Sequence, residues 1–368
     1  MPYGSLLPGA LGADAGPLAG AGARSLLACG TALLVSLALG GPLIAWLRSR
    51  KLGEKTEKTP IEDAALRHRI ESKSGTPTMG GLMVLGGLLV ACLLWADMQN
   101  PHVSLALMCA LALGLLGLTD DQLKLRRAGH KGRGLKARHK LLAQAIVGAA
   151  VGFALVRHHA SAGGAPYSVP LVPAVGGRGV AAVLFVAWSA FVVGTMSNAT
   201  NVTDGLDGLL AGLTPPAATV LAGACWAAGS APVAARLGMA FVPGAQELSV
   251  FCGALCGACI GFLWYNRHPA KVFMGDVGSL AIGGGMAAAA LAARQELVLG
   301  LASLVFLVEF GSSLLQIGFF KLSGRRILPI APIHHFFEMR GDPEPRIVHS
   351  FHLWGAVAAL AGLNLMCL

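Results

Sequence analysis

Apolar runs of about 18–25 residues recur along the whole chain, each long enough to cross a hydrocarbon core of about 30 Å. Lipid offers no water to backbone N–H and C=O groups, so a run inside it must close its own hydrogen bonds. A stretch of this length does so as a helix, since a membrane strand needs only about 9–11 residues. Composition agrees: of 368 residues, 55% are hydrophobic and 12% charged, against about 25% charged in an average soluble domain. An ordinary cytosolic enzyme, a disordered chain and a secreted disulfide scaffold are thereby excluded. The fold class is all-α, a polytopic integral membrane protein.

Ten spans are expected, at about 24–47, 79–97, 102–118, 140–157, 180–197, 205–228, 248–264, 277–293, 296–320 and 350–368. The runs at 102–118 and 277–293 are short and rich in Gly and Ala, and Pro215-Pro216 is expected to kink the sixth span. Ten helices of about 20 residues leave no loop large enough for a separate soluble domain. The expected organisation is one transmembrane domain, 24–368, behind a disordered tail, 1–23, that lacks the basic start of a cleavable signal peptide.

The net charge of +10 is unevenly placed. Eight Lys/Arg fall in 48–78, eight in 119–140, two in 265–275 and five in 321–349, so 23 of 28 lie on one side together with the uncharged loop 198–204. Basic loops stay in the cytoplasm. Both termini are therefore expected on the outer side of the membrane. The basic excess reads as topology, phosphate partners and anionic lipid headgroups, not as a nucleic-acid surface. The eight cysteines all fall in expected spans, and Cys252, Cys256 and Cys259 alternate with Gly253, Gly257 and Gly261. Small residues that let helices approach are favoured over a metal cluster, since no polar neighbour or fourth ligand accompanies them.

Acids at a membrane boundary are expensive and therefore informative. Asp120-Asp121 are expected to close the third span, Asp204 and Asp207 to open the sixth on one helical face, and Asp276 to open the eighth. Capping explains Asp204 or Asp276 singly. It does not explain the adjacent pair, because neighbouring like charges repel unless a cation neutralises them. Five acids in a basic surround point to Mg²⁺ bound together with phosphates, with Lys73, Lys124 and Lys140 as phosphate partners. In 73–82, KSGTPTMGGL, Thr76 and Thr78 are candidate caps for a helix whose exposed amides suit an anion. PIHHFFE at 332–338 brings His334, His335 and Glu338. Adjacent histidines cannot share a helical face, so a zinc pair is disfavoured. A hydrogen bond to phosphate or sugar and a simple loop role both stay open.

Taken in order, KSGTPTMGG, LTDDQLK, GLKARHKLLAQ, NVTDGLDGL, YNRHPAKVFMGDVGSL and APIHHFFE closely resemble the phospho-N-acetylmuramoyl-pentapeptide-transferase family, within the polyprenyl-phosphate N-acetylhexosamine-1-phosphate transferases. The resemblance covers about residue 60 to the C-terminus. It implies a dimeric, ten-helix enzyme of the bacterial inner (plasma) membrane, with periplasmic termini, that moves phospho-MurNAc-pentapeptide from UDP-MurNAc-pentapeptide to undecaprenyl phosphate, giving lipid I and UMP in the presence of Mg²⁺. By motif position it implies Asp276 as the Mg²⁺ ligand, Asp120 and Asp121 as the catalytic acidic pair with Asp120 the base, and His335 as a further catalytic residue. Lys73, Thr78, Lys124, Lys140, Asn198, Asn201, Asp204, Asp207 and His334 fall at other polar substrate positions, and Asn266, Phe273 and Gln316 at a nucleoside pocket. One departure stands out: Phe336 replaces the third of the family's three consecutive histidines and cannot hydrogen-bond.

Two other readings are weighed. A sister transferase using UDP-N-acetylglucosamine is disfavoured by the PIHHFFE and KSGTPTMGG forms. A nucleotide-sugar transporter would place its ionisable residues near the bilayer midplane, with internal repeats. Here the acids gather at one surface and no repeat is evident.

Overall fold

The structure is a computed structural model that describes residues 20–50, 75–126, 134–161, 169–170 and 177–366. Among these residues there is no β-strand, and the helices run in order. The first five are α1 (Ala21–Ser49), α2 (Gly81–Trp95), α3 (Pro101–Arg126), α4 (Ala137–Ser161) and α5 (Gly177–Thr203). Then come α6 (Leu209–Ala228), the short α7 (Ala231–Arg236), α8 (Leu248–Asn266) and α9 (Gly275–Ala293). The chain finishes with α10 (Glu296–Ala302), α11 (Leu304–Ser323), α12 (Ile333–Met339) and α13 (Glu344–Leu365). Nine of the described helices are long and apolar enough to span a membrane, and α2, with 15 residues, is a shorter apolar helix. The protein is therefore a multi-pass membrane protein.

The short helix is thus the second, not the third or eighth as expected. α3 has 26 residues and α9 has 19. Where α2 starts, the amides of Gly80 and Gly81 donate to the carbonyls of Phe273 and Met274, at 2.8 and 2.9 Å, tying its first turn to the segment before α9. The expected span 296–320 is two helices, α10 and α11, joined at Ser303. Three loop assignments also change. Residues 198–203 are the last turns of α5, residues 119–126 belong to α3, and residues 344–349 belong to α13. α6 runs through both prolines. Residues 1–19 and 51–74 lie outside the described residues, so the expectations for the tail and most of the first basic loop fall there.

Glycine spacing holds the helices together. Gly253, Gly257 and Gly261 face α1, where an added Cβ would run into Ser25, Cys29 and Leu33 respectively. Four-residue steps on both helices bring two small-residue stripes backbone to backbone. The seven described cysteines are all free. α9 is the hub: its membrane window is 100% buried. A helix of Gly, Ala and few larger residues can be surrounded on every side only because its neighbours approach so closely. Gly117 of α3 packs on the backbone of Asp276, and Gly284 of α9 receives Leu113. These contacts set the height at which α9 begins, and so where Asp276 stands.

The opposite end is tied by Arg24, whose guanidinium grips Glu247 with two hydrogen bonds, one of 2.8 Å, and also donates to the carbonyl of Trp95 at 3.0 Å. Both side chains are about 10% exposed. Removing one partner of a buried pair leaves an uncompensated charge, at a cost of about 3–5 kcal/mol. Glu247→Leu is therefore expected to lower the thermal unfolding temperature in detergent, and the double change Arg24→Met/Glu247→Leu to recover most of the loss. An unchanged melting curve for the single variant would contradict this.

Candidate active site

Four helix ends meet at the face opposite Arg24: the last turns of α3 and α5 and the first turns of α4 and α9. Asp120 and Asp121 lie within α3, not at its end, and both are buried. Asp276 is the second residue of α9, and its side chain caps no backbone amide there. Its oxygens are held from the side instead. Asp276 Oδ2 accepts from Lys140 Nζ at 2.5 Å and lies 3.1 Å from Lys124 Nζ. Asp276 Oδ1 accepts from Asn201 Nδ2 at 2.9 Å. A capping role for Asp276 is thereby replaced by a role inside a charged cluster.

Lys124 joins the three acids. Its ammonium lies 3.1 Å from Asp120 Oδ2 and 3.7 Å from Asp121 Oδ1, besides its contact with Asp276. The spacings to Asp120 and Asp121, four and three residues along α3, put Lys124 above both acids on one helical face. The amide of Leu135, just before α4, donates to Asp120 Oδ1 at 2.5 Å, and the amide of Val277 donates to Asp121 Oδ2 at 3.2 Å. Three carboxylates therefore face two ammonium groups among the described residues, an excess of negative charge in a buried place. Every acceptor is a hard oxygen, the donor set that Mg²⁺ takes. The residues present fit that ion.

Asn201 is oriented twice over, donating to Ser279 Oγ at 2.9 Å and accepting from Lys140 Nζ at 3.3 Å. One turn earlier on α5, Asn198 donates to Gln144 Oε1 at 2.8 Å, while Gln144 donates to Ser197 Oγ at 3.0 Å. Thr78 does not cap α2, whose first residue is Gly81. It borders the cluster instead, since a Cβ added to Gly275 would meet both Thr78 Oγ1 and Asp121 Oδ2. Gly275 has φ +74, which explains a glycine just before Asp276. Lys73 lies outside the described residues.

The other expected residues form separate groups. Asp204 and Asp207 do not share a helical face: they sit in the turn between α5 and α6, because Gly208 adopts φ +81 and α6 starts only at Leu209. Buried Asp207 accepts from the amide of Ala270 at 3.0 Å and lies 3.2 Å from His268 Nδ1, with Glu344 beside it. Asn266 accepts from the amide of Gly208 and donates to the carbonyl of Val272, so both ends of its amide brace this turn. Phe273 pairs through its backbone with Pro77 and Gly80. Gln316 accepts from the amides of Ile327 and Leu328 and donates to the carbonyl of Leu328. His334 is buried on Glu309, whereas His335 is 32% exposed at its side chain and pairs with Glu338 at 2.6 Å. Phe336 meets Phe337 edge to face.

Several contributors escape a reading of the sequence. Gln144 lies in a motif from which only Lys140 is singled out by sequence, and Ser279, Leu135 and Glu344 carry no signal of their own. Glu309 had one: an acid within an apolar span is a functional candidate by its cost alone.

Comparison with known proteins completes the description. Residues 103–294 match Glycosyl transferase family 4, and residues 73–85 match Phospho-N-acetylmuramoyl-pentapeptide-transferase signature 1. The chain is 38% identical over 345 residues to a phospho-N-acetylmuramoyl-pentapeptide-transferase of Thermodesulfovibrio yellowstonii, covering 92% of each. It is 41% identical over 346 residues to the protein of that name from Nitratidesulfovibrio vulgaris, covering 93% of this chain and 92% of the relative. The protein of that name from Caulobacter vibrioides is 39% identical over 350 residues, 92% of this chain and 91% of the relative. With nine membrane-length apolar helices and the shorter α2 among the described residues, the acidic cluster at one end and matches of this extent, the chain belongs to the phospho-N-acetylmuramoyl-pentapeptide-transferase family within glycosyl transferase family 4.

Proposed function

We propose that the chain transfers phospho-MurNAc-pentapeptide from UDP-MurNAc-pentapeptide to undecaprenyl phosphate, releasing UMP and forming lipid I in the first membrane step of peptidoglycan synthesis. The observation that carries the reading is the meeting of Asp120, Asp121 and Asp276 with Lys124, Lys140 and Asn201 at one end of the helices. Phosphoryl transfer between two polyanions needs charge neutralised and groups placed in line, and this cluster supplies both signs of charge on four rigid helix ends.

An oxygen of the lipid phosphate attacks the phosphorus that carries the sugar, and the bond to the bridging oxygen breaks to release UMP. The attacking phosphate has its second pKa at about 6 and is mostly dianionic at neutral pH. Asp120 then has only a residual proton to take. Both of its oxygens are engaged, by the Leu135 amide and by Lys124, which fixes the direction of the carboxylate. Lys124 and Lys140 hold the carboxylates in place and offset phosphate charge, and Asn201 fixes the direction of Asp276. Mg²⁺ held by Asp276 with the neighbouring acids would neutralise diphosphate oxygens as a Lewis acid. Lys73, Thr78, Asn198, Asp204, Asp207 and His334 are assigned to substrate, Asn266, Phe273 and Gln316 to the nucleoside, and His335 to the catalytic group. The cytoplasmic face of the inner membrane, periplasmic termini and a homodimer belong to the same proposal. The sidedness is supported by the 23 of 28 Lys/Arg that fall in segments 48–78, 119–140, 265–275 and 321–349.

The test is UMP release from UDP-MurNAc-pentapeptide and undecaprenyl phosphate, with UDP-N-acetylglucosamine as competing donor. Release should stop on chelation by EDTA and return with added Mg²⁺. Preference for UDP-N-acetylglucosamine, or release indifferent to EDTA, would contradict the reading. Recovery of a phosphorylated aspartate from the nucleotide sugar alone would overturn the single displacement.

A further inference from the structure

Glu309 is an acid on the apolar helix α11, and it is 0% exposed. Its carboxylate takes two hydrogen bonds from one residue. The backbone amide of His334 donates to Oε1 at 3.2 Å, and His334 Nδ1 lies 2.8 Å from Oε2. α12 begins after Pro332, whose side chain supplies no cap. Glu309 thus caps α12 from another helix, reaching the amide of its second residue. A carboxylate only accepts, so the proton between the two side chains sits on Nδ1.

That arrangement decides the other ring nitrogen. His334 is 0% exposed, and its Nε2 has no hydrogen-bond partner among the described residues. It abuts Gly205, where an added Cβ would strike the imidazole. A buried N–H without an acceptor is worse tolerated than a buried lone pair, so Nε2 facing the Gly205 backbone carries no proton. Gly205 lies between Asp204 and Asp207 in the turn joining α5 to α6. The ring of His335 lies against that of His334, centroids 4.2 Å apart and planes tilted by 59°. Glu309, His334, the 204–208 turn and His335 form one packed series.

We propose that Glu309 is a positioning residue for binding of the sugar nucleotide: by holding His334 as the Nδ1–H tautomer it keeps a proton-free Nε2 against Gly205, and so seats the turn that carries Asp204 and Asp207. This rests on the transferase reading and on those two aspartates binding substrate. A carboxylate that sets a histidine's tautomer has large effects when that histidine's geometry serves the reaction.

The variant is Glu309→Gln in the full chain in detergent. Its amide oxygen can still accept from the His334 amide, but its NH₂ then faces Nδ1 and drives the proton to Nε2, against Gly205. Nitrogen NMR of ¹⁵N-histidine-labelled protein, assigned with His334→Asn, reads the tautomer without substrate. The expected result is a reversed tautomer, a KM for the nucleotide sugar raised at least about 10-fold, and an unchanged KM for undecaprenyl phosphate. Gly205→Ala, which presses on the ring from the other side, should raise the same KM with the tautomer kept, and it carries the test if Glu309→Gln does not fold. Unchanged nucleotide-sugar KM in either folded variant overturns the proposal, as does a loss confined to active fraction with both KM values intact. Wild-type protein that releases no UMP would instead overturn the transferase reading, and the substrate-free spectrum keeps the two failures apart.

Discussion

Asp276→Ala is expected to lower kcat for UMP release by at least about 100-fold while the helices remain assembled. Asp276 is the acid on which both lysines and Asn201 converge, so its loss removes the partner those three share. With the carboxylate gone, Lys124 and Lys140 keep Asp120 as their acidic neighbour, at 3.1 and 3.7 Å, and the site loses one of three negative charges. Metal affinity should fall with it. Assembly is spared because α9 is held by apolar and glycine contacts along its length rather than by its first turn. Activity measured across a Mg²⁺ series, with a thermal melt of each variant, checks both halves. Release within a few-fold of wild type would remove Asp276 from the chemistry.

The second large effect is expected from a residue that touches no substrate. Gly117 stands one turn before Asp120 on α3, and a side chain there would occupy the place of the Asp276 backbone carbonyl. Gly117→Val must push α3 and α9 apart, because backbone cannot move aside as the end of a flexible side chain can. Overpacking of this kind costs about 1–3 kcal/mol. The functional cost is larger than the loss of stability suggests. Asp120 and Asp276 share Lys124 only while the two helices stay at their present separation. A displacement of about 1 Å at a reacting centre can cost about 100-fold in rate. We expect UMP release to fall by that order, a lower melting temperature, and a milder version of both in Gly117→Ala. A fully active, equally stable Gly117→Val would show that the close approach is dispensable.

These two variants also separate what the chain displays openly from what it hides. The spans are legible because lipid imposes a length and polarity that local composition must meet. Even there, the position of the short helix is not local. Where α2 starts, the amides of Gly80 and Gly81 are taken by the carbonyls of residues 273 and 274. The acids are legible as a group through their cost, yet their grouping is not. Asp204 and Asp207, three residues apart, suggest one helical face, and Gly208 with φ +81 prevents it. His334 and His335 are adjacent in the chain, and one is sealed on Glu309 while the other opens toward solvent beside Glu338.

By itself the sequence determined the membrane class, the approximate number and order of spans, the asymmetry of its basic loops and, through its motifs, the family. All of these follow from local composition or from short runs of residues. Only the tertiary structure decided that three of the five boundary acids share two lysines, that Asp207 joins His268 and Glu344 instead, and that Glu309 reaches His334. The physical reason is that these distances depend on how closely and at what height the helices pack. That is set by glycine stripes meeting backbones more than a hundred residues away in the chain, such as Gly117 against Asp276 and Gly257 against Cys29.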